Sequence, residues 1–127
     1  MIVLDASALL ALFNQEPGWQ RLTAALVDDD STISAVNYAE VLQKAARIGV
    51  PAETIDAQLD EVGVTVSPFG RLDARLAASL YRHRSGLSLA DRVCIGLARS
   101  LASPAYTADR LWDSWAPEFG VQVVLIR

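Results

Sequence analysis

Ile2-Val3-Leu4-Asp5-Ala6-Ser7-Ala8-Leu9-Leu10-Ala11-Leu12-Phe13-Asn14 is the stretch that decides the fold class. Ile2–Asp5 is a short apolar block closed by an acid, and it reads as a buried strand. From Ser7 the pattern changes to a helical run that reaches Asn14. A strand followed at once by a helix is the opening of an α/β chain.

The alternation continues downstream. Pro17 and Gly18 punctuate, and Trp19–Asp28 reads as helical. Ser31–Ser34 is a second strand, and Asn37 is placed to cap a helix reaching Ile48, stopped by Gly49 and Pro51. Ala52–Glu61 is a polar helix ending at Gly63, and Val64–Ser67 is a third strand. Arg71–His83 and Leu89–Leu101 are amphipathic helices separated by Gly86. Ser103–Thr107 is a short fourth strand, Asp109–Trp115 a short helix, and Val121–Ile126 an apolar fifth strand. Such an apolar run implies a strand covered on both faces, as in a mainly parallel sheet. In sheets of this kind ligands bind beyond the carboxyl ends of the strands, where strand order reverses.

The composition sets further bounds. A chain of 127 residues, 52% of them hydrophobic, has material for one sizeable core, so residues 1–127 are expected to form one domain. Cys94 is the only cysteine, which excludes an internal disulfide or a cysteine-rich metal site and suits a reducing cytosol. Ile2-Val3-Leu4 is too short for a signal-peptide core, and no run approaches a membrane span, so a cytoplasmic protein with no membrane partner is expected. The net charge is −4, but residues 1–61 carry ten acids and three bases, while residues 62–127 carry five acids and eight bases. An acidic half for a cation and a basic half for phosphate can meet at one cleft.

Four acids fall at strand ends or first helical turns: Asp5, Glu40, Asp91 and Asp109. Each has a plainer reading. Asp5 and Asp109 could be helix caps, and Glu40 could pair with Lys44 one turn on. Ser88-Leu89-Ala90-Asp91 matches a capping box. The conjunction is harder to dismiss. Two bare carboxylates about 4 Å apart repel by ~1 kcal/mol in water and ~4 kcal/mol at an effective dielectric near 20. Four at one rim need raised pKa values or a bound cation. An all-oxygen set favours Mg²⁺ or Mn²⁺ over zinc. Such an ion activates water and stabilises charge on phosphoryl oxygens.

At these residues the sequence resembles the PIN-domain family, specifically the VapC-type toxins of type II toxin–antitoxin pairs. The matching pieces are Val3-Leu4-Asp5-Ala6-Ser7-Ala8-Leu9-Leu10, Ile33-Ser34-Ala35-Val36-Asn37-Tyr38-Ala39-Glu40-Val41-Leu42, Leu87-Ser88-Leu89-Ala90-Asp91 and Tyr106-Thr107-Ala108-Asp109-Arg110-Leu111-Trp112. The resemblance spans essentially the whole chain. It implies a three-layer α/β/α fold with a five-stranded, mainly parallel sheet in order 3-2-1-4-5. It implies Asp5 and Asp91 as primary ion ligands, with Glu40 and Asp109 completing a quartet directly or through water. Ser7 and Thr107 would trim that cluster by hydrogen bonding, although a helix-cap role is an equal alternative. The implied activity is endonucleolytic cleavage of structured RNA, such as tRNA or ribosomal RNA loops, leaving a 5′-phosphate and a 3′-hydroxyl. The implied partners are an antitoxin whose C-terminal segment fills the cleft, and a second copy in a homodimer.

Arg92 and Arg110 flank the acids and are candidates for RNA phosphates, whereas Arg71, Arg75 and Arg82 read as a solvated face. His83 is expected to pack, and Cys94 to lie in the core. Asp28-Asp29-Asp30 reads as a solvated turn, and Asp113 as peripheral. Trp19, Trp112 and Trp115 read as packing residues, and Leu9, Leu10, Leu12 and Phe13 could line a partner groove or the core. A haloacid-dehalogenase-type phosphatase needs an aspartate where Ser7 stands, a receiver domain needs a late lysine, and a dinucleotide site needs a glycine-rich first turn; none is present. The remaining rival is a catalytically silent PIN-like module that binds RNA or protein.

Overall fold

A computed structural model describes all 127 residues. The strands are β1 (Ile2–Leu4), β2 (Ser31–Ser34), β3 (Val64–Ser67), β4 (Ala105–Thr107) and β5 (Val123–Leu125). The helices are α1 (Ala6–Asn14), α2 (Trp19–Asp28), α3 (Ala35–Arg47), α4 (Ala52–Val62), α5 (Arg71–Ser79), α6 (Leu89–Ser100) and α7 (Leu111–Phe119). All strand pairs are parallel, and the order is β3-β2-β1-β4-β5. Order reverses between β1 and β4, which places the switch point beside Asp5.

Alternation along β1 sorts the two faces. Ile2 and Leu4 pack with Ile33, Leu9, Leu22, Val41, Ile55 and Leu59, from β2 and helices α1 to α4. Val3 points the other way, into Cys94, Ile95, Ala98, Trp112 and Phe119 from α6 and α7. The result is the three-layer α/β/α arrangement that the resemblance implied. In the buried, polar second strand Thr32 Oγ1 lies 2.7 Å from Ser67 Oγ on β3, and Ser34 Oγ accepts from the Val36 N–H.

Several boundaries differ from the sequence reading, each for a local reason. Ser34, not Asn37, caps α3, its Oγ accepting from the Val36 N–H at 3.2 Å. α5 stops at Ser79, where Arg82 Nη1 donates to the carbonyls of Ser79 and Tyr81, and His83 lies exposed in a turn. α7 runs past Pro117 to Phe119, where the rings of Trp115 and Phe119 stack at 5.7 Å. β5 is shorter than expected, starting only after the exposed Gln122, and as an edge strand it is half-exposed and not covered on both faces.

Gly18 joins α1 to α2 with φ +96°, and a Cβ there would sit 2.1 Å from the Ile126 carbonyl oxygen. Both the left-handed backbone and the backbone-to-backbone approach require glycine. Gly18→Ala should therefore cost about 2–4 kcal/mol in urea denaturation, whereas Gly49→Ala, with open space around it, should cost about 1 kcal/mol.

Candidate active site

Asp5 follows β1 directly, and its backbone N–H continues the ladder to the Tyr106 carbonyl at 3.0 Å. Burial of β1 therefore carries the acid inward, and Asp5 is only 5% exposed. It occupies the N-cap position of α1 but makes no side-chain cap bond. Instead Ser7 Oγ donates to its Oδ2 at 2.6 Å and Thr107 Oγ1 donates to the same oxygen at 2.9 Å. Each hydroxyl accepts in turn from a backbone N–H, Ser7 from Ala108 and Thr107 from Asp109, both at 3.0 Å. With their protons committed to Asp5, the two hydroxyls hold one carboxylate oxygen and clamp α1 to the end of β4. Oδ1 receives no hydrogen bond from the protein.

The other three acids stand around this group. Asp91, in the first turn of α6, forms the expected capping box: its Oδ2 accepts from the Ser88 N–H at 2.9 Å, and Ser88 Oγ accepts from the Asp91 N–H at 3.0 Å. Asp109 is exposed, and its Oδ1 accepts from the Leu111 N–H at 3.0 Å at the start of α7. Glu40 makes no ion pair with Lys44; its Oε1 accepts from Asn37 Nδ2 at 3.1 Å. The plain readings of Asp91 and Asp109 are thus real, but each uses one oxygen. As they stand, no three acid side chains are gathered closely enough to share an ion. The expected convergence into one tight pocket is in this respect a ring of acids at electrostatic range.

At that range the neighbouring charges act on the two more buried acids, Asp5 and Asp91. Asp5 is pushed up to about 6, chiefly by desolvation, with repulsion from Asp91 and Glu40 adding to it and the Ser7 and Thr107 bonds opposing it. Asp91 is raised by burial above all and also by Asp109. The buried Trp112 indole N–H opposes part of that rise, although it completes no hydrogen bond of good geometry. Cys94 lies fully buried beneath the acids, its thiol pushed well up by burial and by their charge. It is an inert core residue, as expected.

The donor set fits a hard cation. It is all oxygen, its most buried carboxylate has one oxygen without a protein donor, and the protein leaves its negative charge under-compensated. Asp91 and Asp109 each keep one oxygen outside their cap bonds for such an ion, and a cation would relieve the repulsion between carboxylates at low dielectric.

The flanking arginines divide. Arg92 is turned away: Nη1 donates to the Ala77 carbonyl at 2.9 Å, and the guanidinium lies 5.3 Å from the Tyr81 ring centre. It ties α6 to α5, so the sequence expectation of an RNA-facing group does not match its position. Arg110 is exposed beside Asp109 with its guanidinium free of hydrogen bonds and ion pairs. Asp113 is exposed, as expected, and Asp29 in the acidic triplet pairs with the N-terminal amine at 3.4 Å. Two polar groups with a bearing on the site escaped the sequence reading: Asn37, read as a cap, and Trp112, read as packing.

A raised carboxyl pKa stabilises the folded chain below the unfolded value of 3.8, and that contribution disappears as pH rises through about 6. In chelator, stability should fall between pH 4 and 6 by up to ~3 kcal/mol from Asp5, with Asp91 acting in the same direction. Asp5→Asn should flatten much of that fall and be at least as stable as wild type at pH 7.5. A steeper loss in the variant, followed by urea denaturation, would show that Asp5 is not the group responsible.

Comparison with known proteins accords with this geometry. The PIN-domain family model matches residues 2–116. Ribonuclease VapC42 of Mycobacterium tuberculosis is 32% identical over 114 residues, covering 81% of this chain and 86% of the relative. Among solved structures, a toxin–antitoxin complex from Klebsiella pneumoniae superposes with a TM-score of 0.72 at 18% identity, covering 100% and 98% of the two chains. VapC20 of Mycobacterium tuberculosis, described as a sarcin–ricin-loop-cleaving toxin, gives 0.70 at 20% identity, covering 90% and 95%. The chain belongs to the PIN-domain family, among relatives named as VapC ribonucleases.

Proposed function

We propose that the chain, acting as one PIN domain, is a Mg²⁺- or Mn²⁺-dependent endoribonuclease and the toxin of a type II toxin–antitoxin pair. The observation that carries the reading is Asp5: a buried carboxylate at the sheet's switch point, one oxygen held by two hydroxyls, with Asp91, Glu40 and Asp109 around it. Asp5 and Asp91 would hold the ion, with Glu40 and Asp109 joining directly or through water. When bound there, such an ion would activate water and stabilise charge at a scissile phosphate. The protein's own part is positional. Ser7 and Thr107 fix Asp5, the Ser88 cap holds Asp91 at the mouth of α6, and Arg110 offers a cation to the RNA backbone. Structured RNAs such as ribosomal RNA loops and tRNA are the proposed substrates; for the loop class, a structural neighbour is described as a sarcin–ricin-loop-cleaving toxin. The cell compartment proposed is the cytoplasm, and the assembly a homodimer.

The antitoxin has a place to dock. A groove of about 520 Å³ lies between α1, α3 and α4, with Leu10, Phe13, Ile48 and Ile55 on its walls and Lys44 and Arg127 among its polar residues. Ser7, the donor to Asp5, also lines it. An amphipathic segment laid there would reach the acids, and a neighbouring structure is described as a toxin–antitoxin complex.

Purified chain should cleave structured RNA with Mg²⁺ or Mn²⁺ and stop in EDTA. Asp5→Asn and Asp91→Asn should each lower the rate on the order of a hundredfold or more, since a lost ion ligand removes several kcal/mol of stabilisation. Cleavage in EDTA, or equal rates in the variants, would contradict this chemistry and leave the silent-module reading. Ile48→Asp, at a residue 71% exposed, should leave cleavage intact but weaken neutralisation by a co-expressed cognate antitoxin.

A further inference from the structure

Asn37 stands where an apolar residue would pack. It lies on the same stripe of α3 as the buried Val41 and Ala45, and it is 0% exposed. Asparagine is a weak helix former, and a buried carboxamide is costly unless its bonds are made. Half of them are. Nδ2 donates to Glu40 Oε1 at 3.1 Å and to the Ala90 carbonyl at 3.0 Å. The other half is not, because Oδ1 is buried with no partner. Turning the amide over would set Oδ1 against a carboxylate and a carbonyl, both acceptors, so the orientation is fixed by the network. A half-satisfied buried amide stabilises a core less well than a leucine. What Asn37 uniquely supplies is a pair of donors aimed at two segments: Glu40, and the residue immediately before Asp91.

We infer that Asn37 is a positioning residue that holds the Glu40 carboxylate against the first turn of α6 and so sets Glu40 relative to Asp91. This rests on the nuclease reading above. Glu40 is half-buried, has three side-chain torsions and makes no ion pair, so the Asn37 amide is its fixed tether. The Ala90 carbonyl is the second anchor and makes the bracket rigid, because it belongs to a helix backbone that does not move with side-chain rotation. Partners one step removed from an ion-binding carboxylate commonly change affinity or rate about 10- to 100-fold when removed.

Asn37→Leu separates this role from a structural one, with Asn37→Ala as a smaller second variant should the leucine not fold. Stability in EDTA, the Mn²⁺-induced rise in melting temperature, and kcat and KM on a structured RNA are measured for wild type, both variants, Glu40→Gln and Asn37→Leu combined with Glu40→Gln. Asn37→Leu should melt at or above wild type in EDTA, gain less from Mn²⁺, and lose about 10- to 100-fold in kcat with KM little changed. In the Glu40→Gln background it should cost little more. Unchanged kcat and Mn²⁺ response in a folded variant, or losses that add in full to those of Glu40→Gln, would overturn the inference while leaving the nuclease reading in place. A wild-type chain that neither cleaves nor responds to Mn²⁺ would overturn both.

Discussion

The hydrogen bonds from Ser7 and Thr107 to Asp5 are the contacts on which the rest of the site depends. β1 is almost completely buried, so an acid placed directly after Leu4 is drawn into the interior whether or not its charge is welcome. Two hydroxyls, two and 102 residues away in sequence, converge on a single oxygen of that acid. They join α1 to β4 across the switch point, and the parallel order of the sheet is what makes that meeting possible. Yet the two bonds do not offset desolvation, and burial pushes the carboxyl up to about 6. Folding thus delivers a fixed carboxylate whose charge the protein itself does not balance.

Asp91 and Asp109 show how a local role and a chemical one can share a side chain. Both sit at helix starts, where unsatisfied backbone N–H groups and the helix dipole favour an acid. Each gives one oxygen to that task and keeps the other. Capping therefore does not compete with ion binding for the residue as a whole. It fixes where the residue stands, at the carboxyl rim of the sheet. Glu40, in the second turn of α3, has no cap bond to hold it, and there a buried side-chain amide takes over.

Much of this was legible in the sequence because it rests on periodicity and chain order. The Ile2–Leu4 block, the apolar stripes and the glycine and proline breaks gave all twelve elements, and the resemblance gave their order in the sheet. The failures were of two physical kinds. Some were boundaries decided by tertiary contacts: Arg82 ends α5 before His83, and aromatic stacking carries α7 past Pro117. Others were polar groups whose partners lie far away in sequence. Arg92 looked like an RNA contact by its nearness to Asp91, but its guanidinium is claimed by Ala77 and Tyr81 on the neighbouring helix. Asn37 looked like a cap because caps are local, whereas one of its anchors, Ala90, is 53 residues away. A clue was present: residue 37 shares the stripe of Val41 and Ala45, and a polar side chain on a core stripe calls for a buried partner.

The central claim is that a hard cation seats itself on Asp5 and is shared with Asp91. Anomalous diffraction from crystals of the protein grown with Mn²⁺ tests it most directly. The expected result is a peak within coordination distance of Asp5 Oδ1 and an Asp91 oxygen, with Glu40 or Asp109 drawn toward it. No peak there at saturating Mn²⁺, or occupancy only at the exposed Asp28–Asp30 turn, would contradict it.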